Sequence, residues 1–336
     1  MTKKKNKQNL TIMDDEIPEI PDILPDILDA AAYGKLIIFI GAGVSKIVGC
    51  PLWQEFANLM LDDLYKKECI NYYEYENLKV NKDSRKLLSI CKKIYQEKKI
   101  ELLDFETIFY GDEDKKIEYG AIYKDLYAFN SIYITTNYDI FLDQVLIDIQ
   151  NSDKLTQKNK HSLNSNNLKN PSKIIYEKSE LLTSNLNYKN IIHLHGCVKN
   201  PKTMIISITD YLEHYAKGSE VSYFLEDLFQ NFTVLFIGFG LDEYEIMEFL
   251  LNKVKHGKKE LRHFMLYPIF KSAKNLLKFQ DDYYATLSVK LIPFQIDKRG
   301  HNQLALIINQ WSKQIGPKAK PQHFLERIRL IDEVIK

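Results

Sequence analysis

The sequence predicts an α/β protein built on a doubly wound, mostly parallel sheet with a helical insertion. Three observations carry that prediction. Lys35–Ile40 is an unbroken aliphatic and aromatic run that stops at Gly41, the pattern of a strand buried on both faces. Similar runs recur at 131–134, 191–196, 204–208, 233–237, 263–267 and 287–294, with helical periodicity between most of them, which implies parallel strands joined by helical crossovers. Several runs end in Gly, Asn, His or Asp, placing small and polar residues where parallel sheets hold ligands.

Composition narrows the function. At 336 residues the chain suits one large domain or two modest ones. Lys plus Arg total 46 and Asp plus Glu 45, a formal charge of +1. There is therefore no global electrostatic case for nucleic acid or anionic membrane as main partner. No apolar run reaches the eighteen residues of a spanning helix, and the basic start MTKKKNKQNL lacks the apolar run of a secretory signal. Cys50, Cys69, Cys91 and Cys197 form no C-x-x-C pair. Reduced thiols, a cytoplasmic location and no metal site are expected.

The elements follow in order. Residues 1–20 are charged and aperiodic, the composition of a mobile tail. Pro25–Ala32 has helical spacing of Leu24, Ile27, Leu28 and Ala31. After the first strand and Gly41-Ala-Gly43-Val-Ser45, the spacing of Leu52, Phe56, Leu59, Met60 and Leu64 predicts a helix over 52–68. Residues 70–130 form a lysine-rich helical insertion, whose only chemical signal is Asp104-Phe-Glu106-Thr. The strand at 131–134 runs into Thr135-Thr-Asn137-Tyr-Asp139. A helix then places Phe141, Leu142, Val145 and Ile149 on one face. Residues 151–173 are rich in Asn, Lys and Ser, as in an exposed insertion. Strands at 191–196, 204–208 and 233–237 follow, the last ending in Gly238-Phe-Gly240. Helix 243–255, two more strands and helix 302–315 complete a domain over 21–318. An amphipathic helix at 319–336 places Phe324, Ile328, Ile331 and Ile335 on one face, a candidate docking surface or a face packed on its own core.

The glycine turn suits a pyrophosphate. Glycines let backbone approach closely, and a following helix offers unpaired N–H groups. A dehydrogenase fingerprint is absent, because Lys46 stands where the third glycine is needed. A Walker A loop is absent too, since Gly-Lys-Ser is missing. The Asn137 amide can both donate to and accept from a ribose hydroxyl or water. His193 and His195 alternate along a strand and face opposite sides, against a shared metal.

Taken in this order, the strand with Gly41-Ala-Gly43-Val-Ser45, Pro51-Leu-Trp53, Thr135-Thr-Asn137-Tyr-Asp139, His193-Leu-His195-Gly196, Thr209-Asp210-Tyr211 and Phe236-Ile-Gly238-Phe-Gly240-Leu resemble the sirtuin-like, Rossmann-like domain family over roughly 33–300. The missing zinc ribbon, and Pro51-Leu-Trp53-Gln in place of Pro-Asp-Phe-Arg, separate the chain from protein-deacylating sirtuins. It looks like the bacterial anti-phage branch, whose members hydrolyse NAD+ to nicotinamide and ADP-ribose. The resemblance implies Asn137 and His195 as catalytic residues and Asp139 as the acidic residue near the nicotinamide ribose. It implies Gly41, Gly43 and Ser45 in the pyrophosphate loop, Ala42 and Thr136 among the further NAD+ contacts, and Gly238 and Gly240 on the adenosine side. Asp242 or Glu243 would touch the adenine ribose. NAD+ is then a substrate and no cofactor is expected. Because NAD+ loss harms the host, gating by a homo-oligomer or a partner defence protein is expected. A lysine deacylase and a non-catalytic NAD+-binding module are the alternative readings.

Overall fold

A computed structural model describes residues 16–158, 172–240, 243–254 and 262–320. Seven strands form one sheet: β1 (Leu36–Ile40), β2 (Ile132–Thr135), β3 (Ile174–Ile175), β4 (Ile191–His193), β5 (Thr233–Ile237), β6 (His263–Ile269) and β7 (Val289–Gln295). Their order is β3-β4-β2-β1-β5-β6-β7, and every pairing is parallel. This is a doubly wound, Rossmann-like α/β sheet.

The apolar runs lack alternation because both faces of the sheet are covered. Leu36, Ile38 and Ile40 of β1 enter one core, and Ile37 and Phe39 the other. On the first face lie helices Trp53–Lys66, Ser84–Lys98 and Gln303–Ile315, burying Phe56, Leu87, Leu88 and Trp311. On the second lie helices Glu220–Asn231 and Tyr244–Val254, burying Leu225, Leu228, Ile246 and Leu250. Each fully buried side chain of this size contributes about 1.5–3 kcal/mol of transfer free energy. The strand order switches sides at β1, with β2 and β4 added on one side and β5, β6 and β7 on the other. A crevice therefore opens beyond the carboxyl ends of these strands.

Several expectations are corrected. The glycine turn is itself a short helix, Ala42–Ile47, so Gly43 is helical. Met204–Ile208 forms no strand. Residues 204–206 are buried, but Ile206 and Ser207 donate their N–H groups to Asp210 (3.1 and 2.8 Å). Ser207 caps helix Ile208–His214 in return. Local capping thus takes the donors a ladder would need. Residues 16–20, expected in the mobile tail, are packed: Ile17 is buried, and the Pro18 and Glu19 carbonyls accept from Gln295 and Gln303 at 2.9 Å. Helix Phe141–Lys158 runs into the segment expected to be an exposed insertion. It buries Leu142 and Leu146, whereas Ile149 is exposed. The short strand β3 lies just past the Asn-rich segment and carries too few residues to show a pattern. The remaining insertion (159–171) and the face of Phe324, Ile328, Ile331 and Ile335 lie outside the described residues.

Candidate active site

Two loops interlock beyond β1 and β5. Gly41 donates its N–H to the Ile237 carbonyl (2.9 Å), and Gly43 donates to Gly238 (2.8 Å). A Cβ at Gly41 would sit 2.5 Å from the Gly238 oxygen, and one at Gly43 would sit 2.8 Å from it. Gly238 has φ +62°, and a Cβ there would lie 2.6 Å from the Val44 nitrogen. These glycines are thus required for loop-to-loop approach and, at Gly238, for left-handed backbone. The same bonds occupy two N–H groups that the sequence had assigned to a pyrophosphate.

Asn137 comes off the end of β2. Its amide nitrogen donates to the Gly41 carbonyl (3.0 Å) and to Ser45 Oγ (2.7 Å). A carbonyl can only accept, so the amide orientation is fixed. Asn137 Oδ1 is left buried with no hydrogen-bond partner among the described residues. Ser45 Oγ donates to Asp139 Oδ2 at 2.5 Å. Asp139 also accepts the Phe141 N–H (3.3 Å). Burial raises the Asp139 pKa, against the Ser45 bond that lowers it.

These residues wall a cleft of about 780 Å³. Of the expected contacts, Ala42, Gly43, Ser45, Thr136, Asn137, Asp139, Gly238, Gly240 and Glu243 line it. Gly41 lies behind, holding Asn137. Asp242 is outside the described residues.

His195 does not line the cleft. It is fully buried, with Tyr215 Oη 2.6 Å from Nε2 and Tyr211 Oη 3.4 Å from Nδ1. The cleft-lining Glu243 brings a carboxylate oxygen to 3.6 Å from Nε2. Asn137 and His195 are therefore not brought together across the cleft. Glu243 stands on the His195 side. Burial, with positive charge nearby at Arg85, pushes the His195 pKa well down, so the imidazole is neutral. His193 faces the other way, as strand alternation requires. Its Nδ1 lies 3.3 Å from the Asn137 carbonyl and its Nε2 2.9 Å from Asp143.

Sequence reasoning missed the wall opposite Asn137. The insertion, which showed no chemical signal beyond Asp104–Thr107, supplies Lys82 and Arg85 to the cleft. Asp104 itself only caps helix Phe105–Ile108. The Arg85 guanidinium lies 4.3 Å over the Tyr211 ring. It also donates to both Glu245 oxygens (2.8 and 3.1 Å). Trp53 packs against Tyr138 and Tyr211, with ring centroids 5.7 and 6.0 Å apart. Trp53, Tyr138 and Tyr211 stand in the quoted motifs, but nothing in their spacing signals a shared wall. Among the described residues, no group of three or more His, Cys, Asp or Glu is placed to hold a metal. No described helix is long and apolar enough to cross a membrane.

The SIR2-like domain family matches residues 131–288. Defense-associated sirtuin 2 of Bacillus subtilis is 24% identical over 264 residues, which is 77% of this chain and 23% of that protein. The chain thus spans about a quarter of the length of that relative. Over residues 131–288 the chain is thus similar to SIR2-like domains, and its parallel sheet with a strand-end cleft agrees with that similarity.

Proposed function

We propose that this chain is a SIR2-like anti-phage defence protein whose cleft hydrolyses NAD+ to nicotinamide and ADP-ribose. The defence role follows from the similarity to defence-associated sirtuin 2. The observation that carries the chemistry is Asn137: both of its amide hydrogens are fixed, and its Oδ1 is held as a buried acceptor in the cleft wall.

Breaking the ribose–nicotinamide bond develops positive charge on the ribose, as in other glycosidic cleavages. Nicotinamide leaves neutral from a cationic ring, so no acid need protonate it. Asn137 Oδ1 orients a ribose hydroxyl or the attacking water. Asp139 and Glu243 supply negative potential to the same wall. Water adds to the ribose carbon and releases one proton. Glu243 presents its carboxylate to the cleft and accepts that proton, with the buried, neutral His195 standing behind it. His195, itself held by Tyr215, stands 3.6 Å from the Glu243 carboxylate. Gating by a partner defence protein or a homo-oligomer belongs to the same proposal.

The test is to incubate the purified chain with NAD+, with and without an acetylated peptide, and follow the products. Free ADP-ribose equal to nicotinamide in both arms is expected. O-acyl-ADP-ribose formed only with peptide would establish a deacylase instead. Binding without turnover, even with candidate partner proteins added, would establish a non-catalytic module.

A further inference from the structure

A dinucleotide brings a diphosphate, and a diphosphate needs donors or cations. The glycine turn is a weak source here. The Gly41 and Gly43 N–H groups already donate to Ile237 and Gly238, and helix Ala42–Ile47 is only six residues long. The burden passes to side chains. Among the cleft-lining residues the Lys and Arg cations are Lys82 and Arg85. Lys82 closes the segment ahead of helix Ser84–Lys98 and Arg85 lies in its first turn.

Arg85 is held ready. Its side chain is about three-quarters buried, with the guanidinium carbon 4.3 Å from the Tyr211 ring centroid. Both contacts to Glu245 use Nη1 alone, so half of a planar donor fork still faces other partners. Such a fork matches two phosphate oxygens at once. Glu245 belongs to helix Tyr244–Val254, across the cleft from the insertion. A ligand anion on the other half of the fork would share the guanidinium with Glu245, whose negative charge opposes it. Asn137 Oδ1, a buried acceptor with no partner in the same cleft, independently marks the space as a ligand site.

We propose that Arg85 is the diphosphate anchor of this cleft, contributed by the helical insertion and held by Glu245. The inference rests on the reading of the ligand as NAD+ and adds the residue that selects it.

The experiment measures ADP-ribose affinity by calorimetry on the full chain, for the wild type, Arg85→Gln and Glu245→Gln. Steady-state NAD+ hydrolysis is run in parallel. Loss of one charge-assisted contact predicts affinity about 10- to 100-fold weaker in Arg85→Gln. KM should rise while kcat stays within a few-fold. Glu245→Gln should bind several-fold tighter, because its opposing negative charge is gone. A role limited to structure would not move the two variants in opposite directions. If Arg85→Gln fails to fold, Glu245→Gln still decides: tighter binding supports the anchor, and unchanged or weaker binding overturns it. Arg85→Gln binding as tightly as the wild type overturns the anchor and leaves the NAD+ reading standing. A wild type that binds neither ADP-ribose nor NAD+ overturns both.

Discussion

Asn137 donates to Ser45 Oγ at 2.7 Å, joining two strand-end loops 92 positions apart in sequence. Ser45 passes its own hydrogen to Asp139. The chain of bonds orients the amide before any ligand enters, which is the preorganisation that catalysis in a cleft requires.

Asn137→Ala should therefore act twice. It removes the buried acceptor and leaves the Gly41 carbonyl and Ser45 hydroxyl without their donor. We expect hydrolysis to fall by about 10²–10³-fold, the scale of one lost preorganised contact. Urea unfolding should show a stability loss of about 1–3 kcal/mol. Ser45→Ala keeps Oδ1 and should lose less activity at a similar cost in stability. Near-wild-type turnover in Asn137→Ala would remove this residue from the chemistry.

Gly238→Ala tests the interlocked loops. The new Cβ meets the Val44 nitrogen at 2.6 Å on left-handed backbone. The predicted destabilisation is about 2 kcal/mol or more, with loss of ADP-ribose binding. Denaturant melts matching the wild type would show that the loops yield freely.

His193 and Asp143 form a buried pair at 2.9 Å. Burial works against the charged imidazole, but Asp143 outweighs it and raises the His193 pKa above 6.5. A raised folded pKa contributes stability that is complete below the unfolded value and fades as pH rises through the folded one. The advantage of the wild type over His193→Gln should therefore shrink as pH climbs above neutrality. Asp143→Ala, which strands the partner, should cost about 3–5 kcal/mol. A pH-independent difference between wild type and His193→Gln would contradict the pairing.

His214 behaves in the opposite sense. It is buried, and among the described residues neither ring nitrogen has a hydrogen-bond partner of good geometry. Burial, with Lys178 adding to it, lowers its pKa from 6.5 to about 3. The unfolded chain takes up a proton below pH 6.5 that the folded chain refuses until about pH 3. Stability from this group is present above pH 6.5 and lost as pH falls through that window. At pH 5 the loss is about 2 kcal/mol. Denaturation of wild type and His214→Phe at pH 7 and pH 5 should show the gap between them shift by that amount.

The sheet was legible because burial on both faces leaves an unbroken signature, as in β1 and β5. Met204–Ile206 carries the same signature without a ladder: an apolar run reports burial, not pairing. The Asn137 and glycine-turn side of the site could be found at strand ends, where sequence order and spatial position coincide. Arg85 could not, since a helix pattern does not say which element faces it. His195 was visible as a strand-end histidine. Its seclusion behind Glu243 depends on how helix Tyr244–Val254 packs, and no local pattern encodes that.

Nicotinamide release at saturating NAD+, compared between the purified wild type and Asn137→Ala with candidate partners supplied, tests the central claim most directly. The account predicts turnover in the wild type, with one ADP-ribose per nicotinamide, and a loss of about 10²-fold or more in the variant. Equal release by the two proteins, or NAD+ left intact by the wild type under every condition, would contradict it.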